Sequence, residues 1–67
     1  MPENLEQLAA LISRRDGISI NEARNIVEDT QYEIQELIAR GCHYDDIEET
    51  LAYNLGLEPD YIDLFLL

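Results

Sequence analysis

Apolar residues recur at helical spacing along most of this 67-residue chain, and the stretch Ser19 to Arg40 organises the rest. Placed at ~100° per residue, Ile20, Ala23, Ile26, Val27, Thr30, Ile34, Leu37 and Ile38 fall in one stripe of roughly 120°. Opposite them lie Glu22, Asn25, Asp29, Tyr32 and Glu36. Both ends are marked. Ser19 and Glu22 have the spacing of a capping box, and Gly41 supplies a left-handed stop. At ~1.5 Å per residue the helix is about 30 Å long, the diameter of a small domain.

The flanking pattern predicts three shorter helices. The first runs from Leu5 to Arg15, with Asn4 as cap, Gln7 answering three residues later, and Leu5, Leu8, Ala9, Leu11 and Ile12 on one face. Asp16-Gly17 ends it, and so short a link folds it back on the central helix, with Ile18 stapled against Ala23. The third spans Asp46 to Leu55, capped by Asp45 with Glu48 completing a second box; it buries Ile47, Leu51, Ala52 and Leu55 and stops at Gly56. Pro59 then opens a last helix over about 59–66, a position where its missing N–H costs nothing. Tyr61, Ile62, Phe65 and Leu66 are expected to face the core. The pattern predicts an all-α, single-domain, compact bundle of four short helices (about 5–15, 19–40, 46–55 and 59–66) built on a long second helix.

Charge changes the picture. Fifteen acids face four arginines and no lysine, a net of −11. The balance is uneven. Residues 1–40 hold eight acids and all four arginines, whereas 41–67 hold seven acids and no cation. Such a field repels nucleic acid and anionic lipid and attracts basic surfaces. The alternative is that the charge only keeps a small apolar chain soluble, or reflects adaptation to high salt. A hydrophobic fraction of 46% excludes an acidic disordered tail. The single cysteine allows no internal disulfide, and no stretch has the length of a membrane span or the build of a secretory signal. The cytoplasm is the expected location.

Residues Glu48 to Leu67 resemble the helix-turn-helix unit of bacterial and phage repressors. Ala52 takes the small fifth place of that pattern and Gly56 the ninth, while Leu51, Leu55, Leu57, Ile62 and Phe65 fill apolar places. The resemblance implies two helices meeting at a tight turn. The expected recognition helix, however, offers Glu58, Asp60 and Asp63 and no basic or amide side chain to reach bases or phosphates. DNA binding is therefore expected only through arginines elsewhere. The segment Asp16 to Ala23 and the run Leu55 to Tyr61 are similar to those of small acidic orphan proteins of phages and mobile elements, a resemblance that implies no activity.

Candidate chemistry is sparse. Cys42-His43 lacks the facing geometry and cleft of a catalytic dyad, and supplies too few ligands for zinc. Asp45, Asp46, Glu48 and Glu49 lack the alternating ligands and turn glycine of a calcium loop. Neither catalysis nor a cofactor nor a metal is expected. More informative are Tyr32, beside Asp29 and Glu36, and Tyr53, beside Asp46 and Glu49, because tyrosine on an acidic face is a frequent binding anchor.

These features favour a non-catalytic interaction module. Its acidic surface (Asp29, Tyr32, Glu36, Asp45, Asp46, Glu49, Tyr53, Glu58, Asp60 and Asp63) would meet a basic protein, with no direct nucleic-acid or membrane contact. In the sharpest version it inhibits a nucleic-acid-binding protein by mimicry. The alternative is a self-assembling accessory protein, a homodimer joined through Leu64, Phe65 and Leu67 of the apolar tail.

Overall fold

A computed structural model describes residues 2–66 and shows the all-α bundle that the pattern predicts. Helix α1 spans Leu5–Asp16, α2 Ile20–Ala39 and α3 Tyr44–Leu55; a 3-10 turn, Pro59–Ile62, then runs into one helical turn, α4, Asp63–Leu66. The caps form where local side chains satisfy orphan N–H groups. The Asn4 side-chain oxygen accepts from the Gln7 N–H at 2.8 Å, and the Gln7 side chain in turn accepts from the Glu3 N–H at 2.9 Å. The Ser19 hydroxyl accepts from the Glu22 N–H at 3.1 Å. At the far end of α2 the Cys42 N–H reaches the Leu37 carbonyl and the Gly41 N–H reaches that of Ile38, both at 3.0 Å. This paired closure requires Gly41 at φ 75, a conformation that side chains disfavour.

Helix α3 departs from expectation at its start. It opens two residues early, with His43 rather than Asp45 as cap, and the Asp46 carboxylate accepts from the His43 N–H at 3.3 Å. Either Asp45–Glu48 or His43–Asp46 has the three-residue spacing of a box, and the earlier pair adds two residues of helix.

The core gathers Leu8, Ala9 and Ile12 from α1, Ala23, Val27 and Ile34 from α2, Ile47, Leu51 and Leu55 from α3, then Leu57, Ile62 and Phe65. Two expected core positions on α2 and α3 lie outside. Ile38 is 45% exposed. The 12 residues of α1 span ~18 Å, so they run beside only part of the ~30 Å of α2. Ala52, about 100° round α3 from Leu51, is exposed at the edge of the apolar stripe.

The tail is the largest correction. Phe65 is 1% exposed, the bulkiest of the fully buried side chains, and Leu64 packs half-buried against the core. Leu66, expected inside, is instead 44% exposed. Ile62 at the end of the 3-10 turn and Phe65 in α4 are both buried, and Leu66, ~100° further round α4 than Phe65, is turned out. Phe65 therefore belongs to the core and not to an association surface; Leu67 lies outside the described residues. The radius of gyration, 11.3 Å, is near the ~10.9 Å expected for a compact chain of this length, in keeping with a folded-in tail.

One long-range contact ties the ends of α1 and α3. The Arg15 guanidinium donates to the Leu55 carbonyl at 2.7 Å and to both Asp16 carboxylate oxygens at 2.8 and 2.9 Å. A cation thus sits on the negative end of α3, which itself carries no basic residue in its last turn. Gly56, at φ 63, closes that helix, and a Cβ there would lie 3.8 Å from the same guanidinium.

Candidate protein-interaction surface

The second half of α2 and the length of α3 run side by side and leave an open groove of about 490 Å³ between them. Helical spacing explains its lining. Glu33 and Leu37, one turn apart, face it from α2, while Asp46, Glu49, Thr50, Tyr53 and Asn54 face it from α3 at intervals of three and four. Cys42, half-buried, closes one end.

Two of the three carboxylates here are held in place. The Asn54 amide donates to Glu33 Oε2 at 2.6 Å and reaches the buried Thr30 hydroxyl at 3.5 Å, which ties Glu33 towards α3. Asp46 is fixed by its cap contact with the His43 N–H, and the Thr50 hydroxyl donates to the Asp46 carbonyl at 3.0 Å. Tyr53, 91% exposed, stands on the rim. The groove combines half-buried apolar groups, an aromatic ring and three acids.

A second acidic hollow of about 470 Å³ involves the other flank of α3, lined by Tyr44, Glu48, Pro59, Asp60, Ile62 and Asp63. The predicted surface residues therefore divide. Asp46, Glu49 and Tyr53 meet in the first groove, and Asp60 and Asp63 in the second. Asp29, Tyr32 and Glu36 share the outer face of α2, where Tyr32 is 69% exposed and Glu36 pairs with Arg40 at 3.7 Å. Asp45 and Glu58 are exposed and line neither hollow.

Sequence reasoning missed Glu33, Asn54 and Tyr44. Glu33 lies about 40° from Leu37 on the wheel, which makes it an edge residue of the apolar stripe; that signal was present. Tyr44 was hidden by the early start of α3. Nothing local marks Asn54, because its partners are 21 and 24 residues away.

Electrostatics sharpen the asymmetry seen in the sequence. Among the described residues the ion pairs are Arg15–Asp16, Arg24–Glu6 and Arg40–Glu36, all between positions 6 and 40. Hydrogen bonding to Arg24 lowers the pKa of Glu6, and hydrogen bonding to Arg15 lowers that of Asp16. Among the described residues, the seven acids from Asp45 to Asp63 have no cation partner.

The helix-turn-helix resemblance is not matched by a second helix of reading length. After the Gly56 turn the described residues give a four-residue 3-10 turn and a four-residue helix, with Glu58, Asp60 and Asp63 exposed. His43 is an exposed helix cap beside the half-buried Cys42. Among the described residues no three His, Cys, Asp or Glu side chains converge as a metal-holding group, and no helix is long and apolar enough to cross a membrane. Compared with protein families, with curated proteins and with solved structures, the chain shows no match.

Proposed function

We propose that the protein is a non-catalytic interaction module that presents its acidic, tyrosine-bearing α3 region to a basic protein partner. The observation that carries this reading is the α2–α3 groove, where Glu33, Asp46 and Glu49 surround half-buried apolar groups beside the exposed Tyr53. Carboxylates that only served solubility would have no need of an aromatic rim or of the Asn54 tether on Glu33.

Magnitude limits the mimicry version. The molecule is 34 Å long, and a duplex of that length carries roughly 20 phosphates at one per ~1.7 Å. A net charge of −11 is about half of that and close to the ~10 phosphates of one strand. Occupation of a single-strand or peptide-sized site on a nucleic-acid-binding protein fits this density; replacement of a duplex by one molecule does not. With Phe65 buried in the core, assembly through the tail would rest on the exposed Leu66 and the half-buried Leu64.

The test is capture of partners from lysate of the source cell, with elution by a salt gradient. A basic protein released at moderate salt, and not retained by the Glu33→Gln/Asp46→Asn/Glu49→Gln variant, is expected. Recovery of the chain alone, held through high salt, would sink the proposal.

A further inference from the structure

We infer that the α2–α3 groove reads an arginine side chain of the partner, in preference to lysine. The inference rests on the interaction-module reading above and adds the chemistry of the group recognised. Eight residues separate Asp46 from Asn54, so the α3 wall is ~12 Å long, enough for about four residues of extended chain. At about 490 Å³ the groove has the size of a small-ligand site, suited to one long side chain and its flanking backbone rather than a whole helix.

The lining matches a guanidinium with an aliphatic stem. Leu37 and Cys42 are half-buried and offer apolar cover to methylenes. The carboxylates of Glu33, Asp46 and Glu49 take the charge, and on Glu33 and Asp46 one oxygen already accepts from Asn54 and from the His43 N–H, which restrains the carboxylate without neutralising it. Tyr53 then supplies what separates the two cations. A planar guanidinium stacks on an exposed ring while donating sideways to carboxylates, whereas a lysine ammonium is a compact, strongly hydrated charge with no flat face. Charge complementarity favours either cation, and the ring favours arginine.

The experiment uses the full chain, 15N-labelled, titrated by NMR at physiological salt with an acetylated, amidated tripeptide carrying arginine between two leucines, and with its lysine counterpart. Amide shifts at Leu37, Cys42, Glu49 and Tyr53 should move, with the arginine peptide binding roughly threefold tighter. Tyr53→Ala should bring the two peptides level, Tyr53→Phe should keep the preference, and Glu49→Gln should weaken both. Equal binding of both peptides to the unaltered protein, or a preference that survives Tyr53→Ala, overturns the arginine inference and leaves the acidic-surface reading standing. Failure of both peptides to shift the groove amides overturns both readings.

Discussion

Phe65→Ala and Leu66→Ala form a pair whose effects should differ sharply, although the residues are adjacent. Phe65 is fully buried, and emptying such a site costs about 3–5 kcal/mol through lost transfer energy and the cavity left behind. A chain of 67 residues has a total stability of about 3–10 kcal/mol at ~0.05–0.15 kcal/mol per residue. The first substitution should therefore remove between a third and all of the stability. Leu66 is nearly half exposed, and its truncation should cost under about 1 kcal/mol. Urea unfolding followed by circular dichroism at 222 nm reads the contrast. With a slope of ~1 kcal/mol per molar, Phe65→Ala should lose about 3 M of midpoint or be unfolded without denaturant, while Leu66→Ala stays within about 1 M of the parent. The reasoning fails if Phe65→Ala unfolds at the parent's midpoint and instead lowers an oligomer mass measured by light scattering, since Phe65 would then be an interface residue.

Three further outcomes follow from charge placement. Arg15→Ala removes the guanidinium contact at the end of α3 and should cost about 1–2 kcal/mol, or roughly 6–12 °C in a thermal melt; an unchanged Tm would show that the Leu55 carbonyl is equally well served by water. The lowered pKa values of Glu6 and Asp16 mean that their pairs stabilise above the ordinary carboxylate range of about pH 4 and lose that effect as pH falls through the lowered values. The parent's advantage over a Glu6→Gln variant should thus be present at pH 7 and disappear on acidification through the lowered carboxylate value, whereas an advantage that grows towards low pH contradicts the assignment. Self-repulsion at a net charge of −11 should make Tm rise as NaCl goes from low to physiological concentration at pH 7, and a flat response would mean that the acids are too well spread to form a dense patch.

What the sequence made legible was whatever is decided locally. Asn4, Ser19, Gly41 and Gly56 each act within one turn of their own helix, and each marks a boundary in the structure. The face of Tyr53 with Asp46 and Glu49 followed from helical spacing alone. Misreadings arose where two local signals competed or where a distant element decided. His43–Asp46 displaced Asp45–Glu48 as the cap of α3. The tail splits into a 3-10 turn and a single α-helical turn, and of the residues expected inside, Phe65 is buried while Leu66 faces out. Ile38 is exposed because α1 is short, which no inspection of α2 reveals. Across the groove Asn54 meets Glu33, a contact between residues 21 apart in the chain that no local pattern reveals.

The most direct test of the central claim compares two variants of equal net charge for binding to the basic protein recovered by capture. One neutralises the groove with Glu33→Gln, Asp46→Asn and Glu49→Gln. The other neutralises the outer face of α2 with Glu28→Gln, Asp29→Asn and Glu36→Gln. Both lose three negative charges, so both weaken the long-range field alike. If the α2–α3 groove is the binding site, titration calorimetry should show affinity lost in the first variant and largely kept in the second. Equal weakening of the two would contradict the account, because net charge alone would then explain the attraction.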